Sequence, residues 1–353
     1  MKRRNFRLFQ IEPTTRCNLR CVMCPWEHLH RSGRDMDLDL YKSLSKDFSS
    51  VEEIDLTGSG EPLMNKNLDQ MVRIAKDSGC RVGFSTNGVL LSPNRFDELL
   101  DAGLDWVAFS IDAATSGTYQ KIRIGASFED TLDNLEYIRS VRNRRNDMRP
   151  SLMIFFVMMK ANYFELPDMI DLASSFGVNF VVAKNLDVIV NSKNDSDRVF
   201  GIPVEDDMAT DISRVIEEAK KRAAKLKLNF RVYELTASES PICEQNPLKT
   251  LFVSVDGFVS PCISLAYMNH RYFDGQKIET PVYRFGNIKE TSLRDIIESR
   301  DYVDFRKLFE NRLSVSVIES IKSFLLDPNG FPRSRNFPLP PIGCRSCYYL
   351  YGI

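Results

Sequence analysis

The chain has 353 residues, enough for one large domain or a domain with a smaller lobe, and its 43% hydrophobic and 27% charged residues are ordinary for a folded protein. Its formal net charge of −1 and pI near 6.4 give no sign of a nucleic-acid partner, which normally requires a basic face. The basic opening MKRRNFRLFQIEP lacks the apolar stretch of a signal peptide and no apolar run reaches bilayer length, so a cytoplasmic protein with no membrane partner is expected.

From residue 6 to about 190, short apolar runs alternate with amphipathic stretches. FRLFQIEP, EEIDLTG, RVGFSTNG, WVAFSIDA, LMIFFVMMK and FVVAKNL read as strands. LDLYKSLSKDF, NLDQMVRIAKDSG, SPNRFDELLDAG, FEDTLDNLEYIRSVRN and ELPDMIDLASSFG read as helices between them. Gly79, Gly103 and Gly177 stand where helix C-caps belong, just before the next strand. Six such units predict an α/β fold with a parallel sheet, open or curled into a partial barrel, whose chemistry gathers at the C-terminal strand ends. Residues 187–205 are polar and turn-rich and read as a loop or linker, followed by a charged helix from about Asp206 to Leu226. The rhythm then changes: LNFRVYEL, a hairpin TLFVSVDGFVSPC turning at Asp256-Gly257, a helical TSLRDIIESRDYVDFRKLF, the stretch VSVIESIKSFLL, and a proline-rich passage ending in FPLPPIGCRSC.

Eight cysteines in a reducing compartment point to metal binding or catalysis rather than disulfides. Seven of them fall into two groups: Cys17, Cys21 and Cys24 near the start, and Cys243, Cys262, Cys344 and Cys347 in the last third. Three closely spaced thiolates can hold three irons of a cubane cluster and leave the fourth iron without a protein ligand. They can also bind zinc if His28 or His30 supplies a fourth ligand. Cys80, at the start of the third strand and opposite the active face, reads as a small buried apolar residue. His270 carries no signal, and the Phe- and Met-rich LMIFFVMM suits a buried strand as well as a substrate wall.

EPTTRCNLRCVMCP, placed ahead of a strand–helix series, resembles the radical S-adenosylmethionine superfamily with its CxxxCxxC signature. The resemblance implies a partial (β/α)6 TIM-type barrel in which a 4Fe–4S cluster on Cys17, Cys21 and Cys24 binds S-adenosyl-L-methionine through its open iron. Reductive cleavage of that cosubstrate then gives methionine and a 5′-deoxyadenosyl radical, with an external electron donor such as flavodoxin or ferredoxin supplying the electron. Met23 stands where many members carry an aromatic residue; the family's adenine contact there is partly through the main chain. Thr57, Gly58, Ser59, Gly60, Glu61 and Pro62 resemble the family's glycine–glutamate motif, implied to receive the methionyl ammonium. Ser85 and Asn87, ending the third strand, and Ser110 and Asp112, ending the fourth, suit the ribose and the methionyl carboxylate. Arg123 resembles the arginine that pairs with that carboxylate, with a plain surface cation as the competing reading, and Asn162 looks family-like without an assigned role.

Cys243 and Cys262 bracket the hairpin and Cys344-Arg345-Ser346-Cys347 follows, which resembles the short auxiliary-cluster form called the twitch domain. The full-length SPASM form carries more cysteines after the CxxC, whereas six residues follow Cys347 here, so one auxiliary 4Fe–4S cluster with four protein ligands is expected. A structural zinc site is the competing reading of the same four cysteines. The expected division is a radical domain over 1–195, a linker and helix over 196–235, and a small α+β twitch domain over 236–353, with the 313–340 stretch a lid, a partner surface or packing.

The expected function is hydrogen-atom abstraction from a small molecule, such as a sugar or aminocyclitol, with the auxiliary cluster relaying or accepting an electron. The alternative is modification of a ribosomally made peptide, against which stands the lack of N-terminal room for a leader-binding domain. A zinc-stabilised, non-enzymatic binding module is the third reading.

Overall fold

A computed structural model describes residues 5–25, 33–203, 206–326 and 337–353. His28, His30 and part of the 313–340 stretch lie outside the described residues. The six expected strands form as β1 (Phe6–Ile11), β2 (Val51–Asp55), β3 (Arg81–Thr86), β4 (Trp106–Ser110), β5 (Ser151–Met158) and β6 (Phe180–Asn185). They pair parallel in chain order, in a register that sets Ile54 beside Val82, Phe84 beside Val107, and Ile154 beside Val181. The result is an α/β partial barrel with helices on its outer face.

Local chemistry explains where the helices begin and end. Helices α1 (Leu38–Ser45), α2 (Leu68–Asp77), α3 (Pro93–Asp101), α4 (Ser116–Ile122), α5 (Phe128–Arg145) and α6 (Leu166–Ser175) connect the strands. Side chains of Asp37, Ser92 and Ser127 accept first-turn amides of α1, α3 and α5. Gly79, Gly103 and Gly177 adopt φ of +76°, +95° and +64° at the helix exits, as their spacing predicted. Strand β5 alternates strictly: Leu152, Ile154, Phe156 and Met158 are fully buried under the helices, while Phe155 and Val157 face the barrel interior. The Phe/Met-rich run therefore serves both core and lumen.

The C-terminal part departs from the sequence reading in three ways. The 187–205 loop contains a short helix, α7 (Ser192–Ser196), before the charged helix α8 (Asp207–Leu226), whose first turn is capped by Asp206. TSLRDII becomes α10 (Leu293–Glu298), and the remainder runs on as one 27-residue helix, α11 (Arg300–Leu326), absorbing VSVIESIKSFLL. The sheet also continues past the barrel. β7 (Asn229–Val232) pairs parallel to β6, and β8 (Thr250–Val253) pairs parallel to β1. β9 (Phe258–Ser260) closes the expected hairpin, with Gly257 at φ +90°, and β12 (Gly286–Asn287) pairs with β9. The short helix α9 (Ile263–Tyr267) and the hairpin β10 (His270–Phe273)–β11 (Gln276–Glu279) lie between them. Ten strands thus share one sheet, in the order β12-β9-β8-β1-β2-β3-β4-β5-β6-β7.

Close packing of β3 on β4 depends on Gly83, where an added Cβ would lie 2.3 Å from the Trp106 carbonyl oxygen and 2.2 Å from its indole. Gly83→Ala is expected to lower unfolding stability by about 1–3 kcal/mol, read as a reduced denaturation midpoint.

Candidate active site at the C-terminal strand ends

The loop after β1 carries Cys17, Cys21 and Cys24. It is anchored to the end of α4, because Arg20 and Val22 donate their amides to the carbonyls of Ile124 and Ile122 at 3.0 Å each. The Leu19 amide points at Cys17 Sγ (3.5 Å), and Arg123 Nη1 lies 3.8 Å from Cys21 Sγ. Burial raises the Cys17 and Cys21 thiols above their ordinary pKa; the Glu61 carboxylate adds to the rise at Cys17, while Arg123 opposes it at Cys21.

All three cysteines open onto one cavity of about 250 Å³. Met23, Gly58, Gly60, Glu61, Ser85, Asn87, Ser110 and Arg123 also line it, so eight of the ten expected cosubstrate residues share the cavity with the cysteines. Pro62 and Asp112 do not line it: Pro62 is buried in the turn after Glu61, and Asp112 is fully buried behind Arg123. Arg123 is 8% exposed and grips Asp112 Oδ2 through Nε (2.6 Å) and Nη2 (2.5 Å), which rules out the reading as a surface cation. Asp112 Oδ1 accepts the Val157 amide at 2.7 Å.

Buried carboxylates hold the cavity's loops together. Glu61 accepts from Thr86 Oγ1 (2.7 Å), the Asn87 amide (2.8 Å) and the Leu63 amide (3.2 Å), so its charge is spent inside the wall. What the Gly58–Gly60 turn offers a ligand is backbone; a Cβ at Gly60 would stand 2.5 Å from the carbonyl oxygens of Thr14 and Arg16. Glu12, fully buried at the end of β1, accepts from the Ser59 amide (2.9 Å) and hydroxyl (2.6 Å), the Val255 amide (3.0 Å) and the Tyr267 hydroxyl. Asn162 gains a role here: its Nδ2 donates to the carbonyls of Asp112 (2.7 Å) and Val157 (2.9 Å), joining the loops after β4 and β5.

Two residues escaped the sequence reading. Asp187, just past β6, lines the cavity; its Oδ2 is shielded from solvent and has no hydrogen-bond partner, while Tyr349 donates its hydroxyl to the carboxylate. Burial pushes this carboxyl up to about 6. Asp55, beneath Thr57 on β2, is pushed by burial to about 7, with Lys184 from β6 opposing the rise. The available signal was position alone, since both stand at or next to C-terminal strand ends.

Cys243, Cys262, Cys344 and Cys347 lie near one another, apart from Cys80. Cys344 is 8% exposed and packs with Cys243, Cys262, Leu248, Leu265, Phe305 and Phe309. Burial first, and then the neighbouring Cys347 sulfur, raise the thiols of Cys243, Cys262 (to about 11) and Cys344. Backbone amides after Cys243 and Cys262 point at their sulfurs. Arg312 of α11, fully buried, donates to the carbonyls of Ser240, Pro241 and Pro338 and to Glu239, tying the segments that carry Cys243 and Cys344. Among the described residues no three Cys, His, Asp or Glu side chains are arranged to hold a single metal ion. A four-iron cubane makes a different demand, because each thiolate goes to its own iron and the sulfurs stand apart. Cys80 is buried just before β3, with its thiol against the Phe48 and Val51 carbonyls, as expected of a small buried apolar residue.

This fold and cavity are those of the Radical SAM superfamily, and the chain belongs to it: the superfamily's model matches residues 11–173, and a model for an iron–sulfur cluster-binding domain, SPASM, matches residues 243–316. Its cofactors are S-adenosylmethionine, a 4Fe–4S cluster and an auxiliary cluster. The chain is 30% identical over 311 residues to the tungsten-containing aldehyde ferredoxin oxidoreductase cofactor-modifying protein of Pyrococcus furiosus, covering 86% of this chain and 84% of that one. It is 27% identical over 258 residues to the PqqA peptide cyclase of Bradyrhizobium diazoefficiens, covering 71% and 65%. In fold it resembles Streptococcus suis SuiB bound to S-adenosylmethionine (TM-score 0.65, 15% identity, 86% of this chain and 68% of that one). The anSMEcpe structure with bound AdoMet gives a TM-score of 0.61 at 14% identity, over 96% and 94% of the chains. Among the described residues no helix is long and apolar enough to cross a membrane.

Two outcomes follow from the buried carboxylates. Glu12→Ala strands four donors and is expected to cost about 3 kcal/mol of stability and to loosen the Gly58–Gly60 turn, measured by denaturation and by S-adenosylmethionine affinity. For Asp55 the folded pKa of about 7 exceeds the ordinary 3.8, so folding takes up a proton between those values and stability falls as pH rises through that window. Asp55→Asn is expected to gain on the parent as pH is raised from about 5 to about 8, in denaturation curves taken at each pH.

Proposed function

We propose that this enzyme cleaves S-adenosylmethionine at a cluster held by Cys17, Cys21 and Cys24 and abstracts a hydrogen atom from a small organic molecule. The observation that carries the reading is that these three cysteines, the Gly58–Glu61 turn, Ser85, Asn87, Ser110 and Arg123 line one cavity at the C-terminal strand ends. Bound to these residues and to the second cysteine group, the clusters supply the electron that splits the cosubstrate into methionine and a 5′-deoxyadenosyl radical, together with a one-electron acceptor or relay. An external donor such as flavodoxin or ferredoxin is the source of the electron.

The chain's own groups take defined parts. Arg123 is locked by Asp112 through Nε and Nη2, so Nη1 is left to face the cavity and pair with the methionyl carboxylate. The backbone of Gly58–Gly60 receives the methionyl ammonium, and Ser85 and Ser110 offer hydroxyls to the ribose. Asp187 accepts a hydrogen bond from a hydroxyl or ammonium of the substrate, and Tyr349 sets its orientation. A small-molecule target is supported by the 30% identity to a protein that modifies a cofactor. The 27% identity to a peptide cyclase supports a peptide target as the second reading.

Anaerobically prepared protein is expected to be brown, with about eight irons and eight sulfides per chain. Cys17→Ala is expected to keep about four irons and form no 5′-deoxyadenosine; formation at the parent rate overturns the assignment. With carbon-deuterated polyols and aminocyclitols as candidate substrates, label is expected in 5′-deoxyadenosine, whereas label arriving from deuterated peptides alone selects the second reading. Asp187→Asn is expected to cut the labelled fraction about tenfold while leaving unlabelled cosubstrate cleavage intact. The parent's labelled yield should fall as pH drops through about 6, where the Asp187 carboxylate is protonated, and the variant should lose that dependence.

A further inference from the structure

The auxiliary lobe contains two buried guanidinium groups with opposite circumstances. Arg312 is fully buried and fully engaged, its donors shared among three carbonyls and Glu239. Arg271, on β10, is 6% exposed, yet its Nε and Nη2 have no hydrogen-bond partner, and among the described residues no carboxylate forms an ion pair with it. A buried charge with orphaned donors is costly, and folded proteins keep such a group only where something negative meets it. Its electrostatic neighbours are the sulfurs of Cys262 and Cys344, the two auxiliary cysteines that flank the lobe's core.

We propose that Arg271 is the counter-charge and hydrogen-bond donor to the auxiliary 4Fe–4S cluster and sets its reduction potential. This rests on the assignment of Cys243, Cys262, Cys344 and Cys347 as that cluster's ligands. A four-thiolate cubane is anionic and becomes more so on taking up one electron, so a fixed guanidinium beside it stabilises the reduced form and raises the potential. N–H donors aimed at the sulfurs act in the same direction. Arg271 would act as a tuning residue, through the cluster that the four cysteines would hold.

The test uses the full chain with Cys17, Cys21 and Cys24 all changed to Ala, so that a single cluster reports. After anaerobic reconstitution, iron is counted and the midpoint potential is measured by a mediator titration followed by electron paramagnetic resonance. Arg271→Met, lacking charge and donors, is expected to shift the one-electron equilibrium at least tenfold against reduction, about 59 mV lower. Arg271→Gln, which keeps N–H donors, is expected to shift less, and Arg271→Lys, which keeps the charge, least. A Met variant that holds about four irons at the parent potential overturns the inference. Should the Met variant lose its irons, the Gln variant decides in the same way. A parent that binds no four-iron cluster overturns the ligand assignment and this inference together, whereas an unshifted potential in a loaded variant overturns this inference alone.

Discussion

Parallel pairing of six strands in chain order is the constraint on which the rest of the molecule depends. It brings the exits of β1 to β6 to one edge, so segments from Cys17 to Asp187 border one cavity. An edge of that kind leaves backbone amides without strand partners. Glu12 and Glu61 meet that need, each accepting from a loop amide, and Asp112 accepts the amide of Val157 near the end of β5. Beyond burial, Glu61 adds to the rise at Cys17 and Asp112 to the rise at Cys21, while Arg123, paired with Asp112, opposes both. Geometry and electrostatics of the site therefore come from one device.

The second cysteine group is bound into that sheet rather than appended to it. β8 lies against β1, and Glu12 at the end of β1 also holds Val255 and Tyr267 beyond β8. On the far side, β7 extends β6, and Tyr349, two residues past Cys347, reaches back to Asp187 at the cavity. Two routes of covalent and hydrogen-bonded structure thus join the cysteine groups.

The two buried arginines of the lobe separate structural from functional charge. Arg312 satisfies carbonyls in segments 71 to 73 residues away and 26 residues away, and so organises the chain around the cysteines. Arg271 Nε and Nη2, by contrast, find no acceptor among the described residues. Asp187 is the corresponding group in the first cavity: Tyr349 donates to its carboxylate, and its buried Oδ2 has no partner.

Much of this protein was legible along the chain, because its signals are local. Periodicity marked the six strands, glycines at helix exits marked the turns, and spacing alone grouped Cys17, Cys21 and Cys24. The Gly58–Glu61, Ser85–Asn87 and Ser110 segments stood out by their resemblance to the superfamily's motifs at successive strand ends, and they line one cavity. What the tertiary structure alone decided is long-range: that Glu61 braces the wall, that Asp112 works through Arg123, and that Asn162 joins two loops. It also decided that VSVIESIKSFLL continues a 27-residue helix and that β7 and β8 extend the barrel sheet. Asp187 and Arg271 carry no motif, since a missing partner is a property of packing and no pattern along a chain records it.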